Sequence, residues 1–355
     1  MIKKGLIPLL ALGHGLNDLL AGYFLGSIVQ QKQDLLQAGM GLLVYNLLAF
    51  GGQYPVALWM EKVKNPKLFL TASYALNVAA VAMFTTLSQF SIVMMGAASA
   101  IYHVAGGTVC ARDNKAVNIG FFAAPGVAGL IAGGYFAWQG YLLVIFLMPA
   151  AILFLLILAM LKLPDADAQK KTEKQTISPL PDRHDMIMIL LLTVIALRSA
   201  LWNIFQLIHE NNYEWLLAIA AAAFAGKIFG GWLADRIGWR LYFFISLFSA
   251  MPLITFFRNE LILFCIGIGL LQSGIPATTA LLIRSVNGKT ERGIGLAFGT
   301  AIVAGAVSFS FPAGIYVRSE IIPFIVTSLM LALMFFSGRK VFSHMPVSSS
   351  PIKTD

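Results

Sequence analysis

Few residues in this 355-residue chain place a titratable or strongly polar side chain inside an apolar run, and any chemistry must be sought among them. Asp18 is the acidic residue set deepest. It follows Lys4 by about 14 residues, roughly 21 Å along a helix, which is near the middle of a bilayer. A carboxylate there costs several kcal/mol unless it is paired, hydrated or protonated, which suits a proton carrier. His14 lies one helical turn earlier on the same face, and Asn17 is adjacent. His103 sits in another apolar run. Asp18, His14 and His103 are therefore the candidate proton-coupling set; the alternative is a buried polar cluster that pins helices together. Two imidazoles and a carboxylate also suit a divalent metal, but no other ligand-rich stretch joins them, so neither a resident metal nor a cofactor is expected. Arg198, Trp202 and Gln206 recur at helical spacing. Arginine stays charged, so Arg198 must face water, an anion or Asp18. With Asn17, these three are the candidate substrate contacts, and a structural salt bridge from Arg198 to Asp18 is the competing reading. Lys227 is expected to snorkel toward the nearer surface. Asn46, Asn77, Asn203 and Gln272 are further polar residues within apolar runs.

The elements that must hold these residues are membrane helices. Hydrophobic residues make up 58% of the chain and charged residues only 12%, with a mean hydropathy of +0.79. Lipid must be the solvent for much of that surface. The net charge of +9 sits in short clusters between apolar runs, which is a topology signal and argues against a nucleic-acid-binding face. Cys110 and Cys265 both lie in apolar runs, so no disulfide is expected. The N-terminus reads as a retained first span, not a cleaved signal.

Twelve apolar stretches of membrane length can be drawn, at 6–30, 36–60, 68–88, 90–111, 119–139, 141–162, 186–208, 214–234, 240–257, 260–285, 294–316 and 320–338. Lys and Arg test this division. Lys32, Arg258 and Arg318 fall on one side, Arg198 and Lys227 fall within spans, and the rest of the 25 fall on the other side. That bias predicts an even number of spans with both termini cytoplasmic. Residues 163–185 break the apolar rhythm with Pro164, Pro179, Pro181 and many charges, and read as a cytoplasmic linker. The expected organisation is an all-α membrane protein: a six-helix half at 1–162, the linker, a second six-helix half at 186–340, and a disordered tail at 341–355. Acid–base pairs recur at Glu61-Lys62 and Asp235-Arg236, about half a chain apart, as duplicated halves would place them.

Gly231-x-x-x-Asp235-Arg236-x-Gly238-x-Arg240 resembles the cytoplasmic-loop signature of the major facilitator superfamily. Its glycine permits close helix approach, and its carboxylate at a helix end can pair with a neighbouring helix N-terminus. Together with Glu61 and Lys62 of the first-half copy, these residues are expected to form a conformational latch. The segment Gly120 to Gly129 around Pro125 is similar to the glycine–proline motif of drug–proton antiporters in that superfamily; generic small-residue packing accounts for it equally well. His14-x-x-Asn17-Asp18 and Ala100-x-Tyr102-His103 resemble segments of its fosmidomycin-resistance-like branch, with Val104 and Ala105 standing where that branch has proline and glutamate.

The resemblance implies a twelve-helix secondary transporter of a bacterial inner membrane. It implies proton-coupled efflux, by antiport and alternating access, of a small organic, anionic or drug-like compound, acting as a monomer with protons and lipid as its other partners. A divalent-metal exporter using His14, Asp18 and His103 and a non-transporting sensor are the rivals. No catalytic constellation of a hydrolase, zinc protease or P-loop enzyme is present, so an enzyme is not expected.

Overall fold

The computed structural model describes residues 5–31, 35–163, 181–209, 212–286, 289–306 and 321–338, with Ser308, Ile315 and Ser319. Most of the expected linker and all of the expected tail lie outside them, as do Lys3, Lys4 and Lys353. All regular structure among the described residues is helical.

Twelve rods follow one another. The first is α1 (Leu6–Gln31). The second is broken into α2 (Leu35–Asn46), a π-helical turn at Leu47–Gly51, and α3 (Gln53–Val63). Then come α4 (Pro66–Met83), α5 (Ser88–Ala111), α6 (Ala116–Trp138) and α7 (Val144–Met160). The second half holds α8 (Pro181–Ile208), α9 (Tyr213–Ile237) and α10 (Trp239–Phe256). Its fourth rod is split into α11 (Leu261–Ser273) and α12 (Ile275–Ser285). Its fifth comprises α13 (Thr290–Gly295), a second π-helical turn at Leu296–Thr300, and α14 (Ala301–Gly305), and the last is α15 (Ile321–Gly338). Seven described helices are long and apolar enough to cross a membrane by length and composition, and two shorter apolar helices accompany them.

The helix bounds follow local chemistry. The Asn65 side chain accepts from Leu68 N at 3.1 Å and Pro66 opens α4, as an N-cap followed by N1 proline should. Asn212 caps α9 in the same way through Trp215 N. The break between α11 and α12 comes at Gly274, two residues before Pro276, which lacks the N–H a continuous helix would use. The Gly274 carbonyl accepts both the N–H and the hydroxyl of Thr278, at 3.0 and 2.9 Å. Helix α8 begins at Pro181, five residues before the expected seventh span, and α4 ends at Met83, short of the expected residue 88.

The halves are knit by helices that approach backbone to backbone. α1 packs along α6, and α6 in turn along α9. A Cβ at Gly129 would strike the Gly15 carbonyl, one at Gly133 the Leu19 carbonyl, and one at Gly120 the Lys227 carbonyl. Small residues on facing helices are what permit such contacts in a membrane, where no hydrophobic effect drives helix association. The glycines around Pro125 therefore have a packing role. Gly133→Val overpacks the α1–α6 seam, at a cost of about 1–3 kcal/mol, and should lower the melting temperature of the purified protein. A variant that melts like wild type would show that the seam is looser than described.

Candidate functional site

The site is built on α1, α5 and α6. His14 and Asp18 share one face of α1, and α5 brings His103 against them. All three are buried. His14 Nδ1 bonds the Phe122 carbonyl at 2.6 Å. His103 Nδ1 bonds the Ser99 carbonyl at 2.7 Å, one turn back on α5. A carbonyl only accepts, so each Nδ1 carries its hydrogen. The two Nε2 atoms then face each other at 2.7 Å. Two lone pairs would repel at that distance. A proton between them makes a hydrogen bond of ordinary length, and Asp18 Oδ2, at 3.3 Å from one Nε2 and 3.7 Å from the other, is its countercharge. Two imidazoles on one tetrahedral metal, bonded at about 2.1 Å, would hold their nitrogens about 3.4 Å apart. The spacing fits a shared proton better.

A second layer fixes this triad. Asn17 Nδ2 donates to Asp18 Oδ1 at 2.9 Å and reaches the Ser99 hydroxyl at 3.3 Å. Asn77 on α4 donates to Asn17 Oδ1 at 2.9 Å, and the Tyr45 hydroxyl donates to that of Ser99 at 3.4 Å. Asn17 is thus fully buried behind Asp18 and does not line the cavity. Gly126 leaves the space the triad needs, for a Cβ there would come within 2.6 Å of Asp18 Oδ2.

Helix α6 serves both halves. Pro125 offers no N–H to the helix, and carbonyls of the preceding turn take up side-chain donors. Phe122 accepts from His14, and Ala123 accepts from Lys227 Nζ of α9 at 3.2 Å. Lys227 therefore points into the protein and does not snorkel. The Phe122 and Ala123 carbonyls were not readable as site members, because a main-chain acceptor has no sequence identity; Pro125 was the available signal.

These groups line one cavity of about 820 Å3 between the halves. Arg198, Trp202 and Gln206 reach it from α8, Lys227 from α9 and Gln272 from α11. Arg198 Nη1 donates to the Thr278 hydroxyl at 3.0 Å, and its guanidinium lies 5.4 Å from the Phe243 ring centroid. Among the described residues no carboxylate lies within ion-pair distance of it, so a bridge to Asp18 is not formed. Thr278, Phe243 and Gly274, which surround the guanidinium, had not been singled out.

Beyond the cavity floor, two contacts tie the halves together at one end of the bundle. Asp235 Oδ1 and Oδ2 accept from Ala116 N and Val117 N, both at 2.9 Å, at the start of α6. Trp239 Nε1 adds a third bond at 2.7 Å. Close approach here needs Gly231, where a Cβ would meet the Ala116 carbonyl at 2.7 Å, and Gly238 turns the chain at φ +97°. Arg236 stacks on Trp232, and the Arg240 guanidinium lies by Phe244. At the related position Glu61 accepts from Arg292 Nε at 2.6 Å and meets Lys289 Nζ at 3.3 Å. Its sequence neighbour Lys62 is exposed. At the other end of the cavity, Trp138 of α6 stacks on Tyr213 of α9 at 4.4 Å between centroids.

A family model described as Major Facilitator Superfamily matches residues 7–312. Among solved structures, the chain is similar to FucP, a Major Facilitator Superfamily transporter in the outward conformation. The TM-score is 0.68 at 16% identity, covering 94% of this chain and 97% of that one. A variant of the E. coli fucose:proton symporter FucP gives 0.66 at 17% identity with the same coverage. No curated protein sequence matches the chain.

Burial alone would raise the Glu61 carboxyl, but hydrogen bonds from Arg292 and Lys289 outweigh it and hold the group below its ordinary 4.5. A depressed carboxyl stabilises its contact above that value and loses it as pH falls through the lowered one. Glu61 is partly exposed, so its share is small. Asp235 is itself exposed, so its bonds are screened as well; its advantage is geometric, since two of its three donors are backbone N–H groups that lose no side-chain freedom. Single-molecule FRET between dyes at the ends of α3 and α13 should show Asp235→Asn separating this end of the bundle much more often than Glu61→Gln. Equal effects would refute that ranking.

Proposed function

The chain belongs to the major facilitator superfamily, and on that premise we propose a proton-coupled secondary active transporter that carries a small organic solute by alternating access, with His14, His103 and Asp18 as its proton site. The observation that carries this reading is the 2.7 Å approach of two imidazole nitrogens whose other nitrogens already donate to carbonyls. Such a pair holds one proton well and is strained without it. The other titratable groups packed around the triad are Tyr45 on α2, Tyr74 on α4, Tyr102 on α5 and Lys227 on α9.

Release of the proton leaves two lone pairs in opposition, so the rings must part. His14 then loosens from the Phe122 carbonyl, next to the Ala123 carbonyl that Lys227 holds from the other half. Protonation is thereby linked to the seam along which the halves move. The bonds at Asp235 and Glu61 favour a conformation closed at that end and accessible from the other. The charge bias of the loops supports a cytoplasmic location for the closed end and for both termini, and a bacterial inner membrane is the proposed location.

Coupling follows from charge. A protonated triad makes the cavity one unit more positive, so an anionic solute and the proton favour each other's binding, while a cationic solute competes with the proton. Export in exchange for protons is the second reading, favoured by the glycine–proline segment of α6, and it requires that competition.

The test uses protein in liposomes loaded with a pH-sensitive dye, challenged with sugar phosphates, carboxylates and lipophilic cations. At least one solute should drive a proton flux, and Asp18→Asn, His14→Gln and His103→Gln should each cut it more than tenfold without unfolding the protein. NMR of 15N-labelled histidine should show a proton shared between two rings in wild type and none in His103→Gln. Solute-driven proton flux at the wild-type rate in Asp18→Asn would eliminate the assignment.

A further inference from the structure

Both cations that line the cavity come from one half. The second-half wall carries Arg198 and Lys227, with Gln206 and Gln272 beside them. Arg198 is 2% exposed, its Nε has no hydrogen-bond partner, and its one side-chain partner is a neutral hydroxyl. Lys227 Nζ bonds a neutral carbonyl. Asp18, the carboxylate on the opposite wall, is already the countercharge of the proton on the histidine pair. A buried guanidinium and a half-buried ammonium thus face the cavity without a protein carboxylate at ion-pair distance among the described residues. Buried guanidinium and ammonium groups are retained in membranes where they pair with something, and a planar guanidinium fork suits a carboxylate or a phosph(on)ate.

Apart from the triad, Tyr45 and Asn46, the first-half wall is apolar, and Phe298, Ile302 and Val303 continue that apolar surface on the second half. Past Asp18, α1 presents Gly22, Leu25 and Val29 to the cavity, a run of roughly 16 Å measured from Asp18. Leu43 of α2 and Val127 and Leu130 of α6 extend the same apolar surface. The volume of about 820 Å3 is that of a site for an organic ligand, far larger than a simple anion needs.

We infer that the transported solute is an anionic amphiphile, its single acidic head held by Arg198 and Lys227 and its apolar body laid along Leu25, Val29 and Leu130. This deepens the transport reading and rests on it. The charge argument above then makes the proton and the solute travel together.

The experiment is calorimetric binding to the full chain in lipid nanodiscs, with empty nanodiscs as baseline. The probes are octyl phosphate, octanoate, octylammonium and inorganic phosphate. Octyl phosphate and octanoate should bind at least tenfold more tightly than octylammonium. Octyl phosphate should bind at least tenfold more tightly than inorganic phosphate, since each buried methylene is worth roughly fourfold. Arg198→Gln should weaken both octyl anions tenfold or more, and Arg198→Lys by less. Leu25→Gln should weaken octyl phosphate and leave inorganic phosphate unchanged. Equal binding of octylammonium, or of inorganic phosphate and octyl phosphate, would overturn the inference. So would wild-type affinity in an Arg198→Gln protein whose melting temperature is unchanged. Binding needs no flux. Octyl anions that bind without moving protons would therefore keep the anionic-amphiphile site at Arg198 and Lys227 while removing the reading that its occupant is carried with protons. Flux driven only by another solute class, with no octyl-anion binding, would do the reverse.

Discussion

Two imidazole nitrogens 2.7 Å apart, each on a ring already bonded to a carbonyl, meet a buried carboxylate inside the first half of this protein. The surroundings are arranged around that triad. Asp18 lies 3.3 and 3.7 Å from the two nitrogens, Asn17 and Asn77 hold Asp18 still, and Gly126 keeps the space open. In a medium where an unpaired charge costs several kcal/mol, a triad of this kind is stable in one protonation state and unstable in the other. Stability that depends on protonation in this way can bias a two-state element, because packed interiors switch between discrete arrangements and do not deform continuously.

The second constraint is mechanical. The halves touch through α6 and α9 along their length, from the Asp235 bonds at one end to the Trp138–Tyr213 stack at the other. Glu61 and Arg292 fasten the pair formed by α3 and α13. The two fastenings differ in kind: one is a carboxylate chelated by two backbone N–H groups, the other an ion pair between side chains, and both are reached by solvent. They bracket the same end of the cavity from opposite sides, as the two-fold relation of the halves dictates.

Most of the architecture could be read from the sequence because membrane helices write long, unambiguous hydropathy signals. The spacing of His14 and Asp18 put them on one face, and the signature around Asp235 was readable as a helix end. Contacts set by packing between distant segments were not. Glu61 and Lys62 adjoin in sequence, yet adjacent residues on a helix point apart, and the partner of Glu61 lies 231 positions away. The hydroxyl of Thr278 and the carbonyls of Phe122 and Ala123 became site members only when α12 and α6 were placed. The break at Gly274 had a proline to mark it. The π-helical turns, in Leu47–Gly51 and Leu296–Thr300, have no such marker.

Those two turns touch each other, and a Cβ on Gly299 would come within 2.6 Å of the Phe50 carbonyl. Each holds one residue more than the α-helical repeat, which rotates whatever follows by about 100°. The face that α3 offers to α13 is therefore out of phase with the face that α2 offers to the cavity. Deleting a single codon at either turn would restore a regular helix and swing the fastening face away from its partner. A hydropathy plot would hardly change. Relatives of this protein should consequently vary in the residues of these segments, except at the close approach of Gly299, while keeping their lengths fixed to the residue.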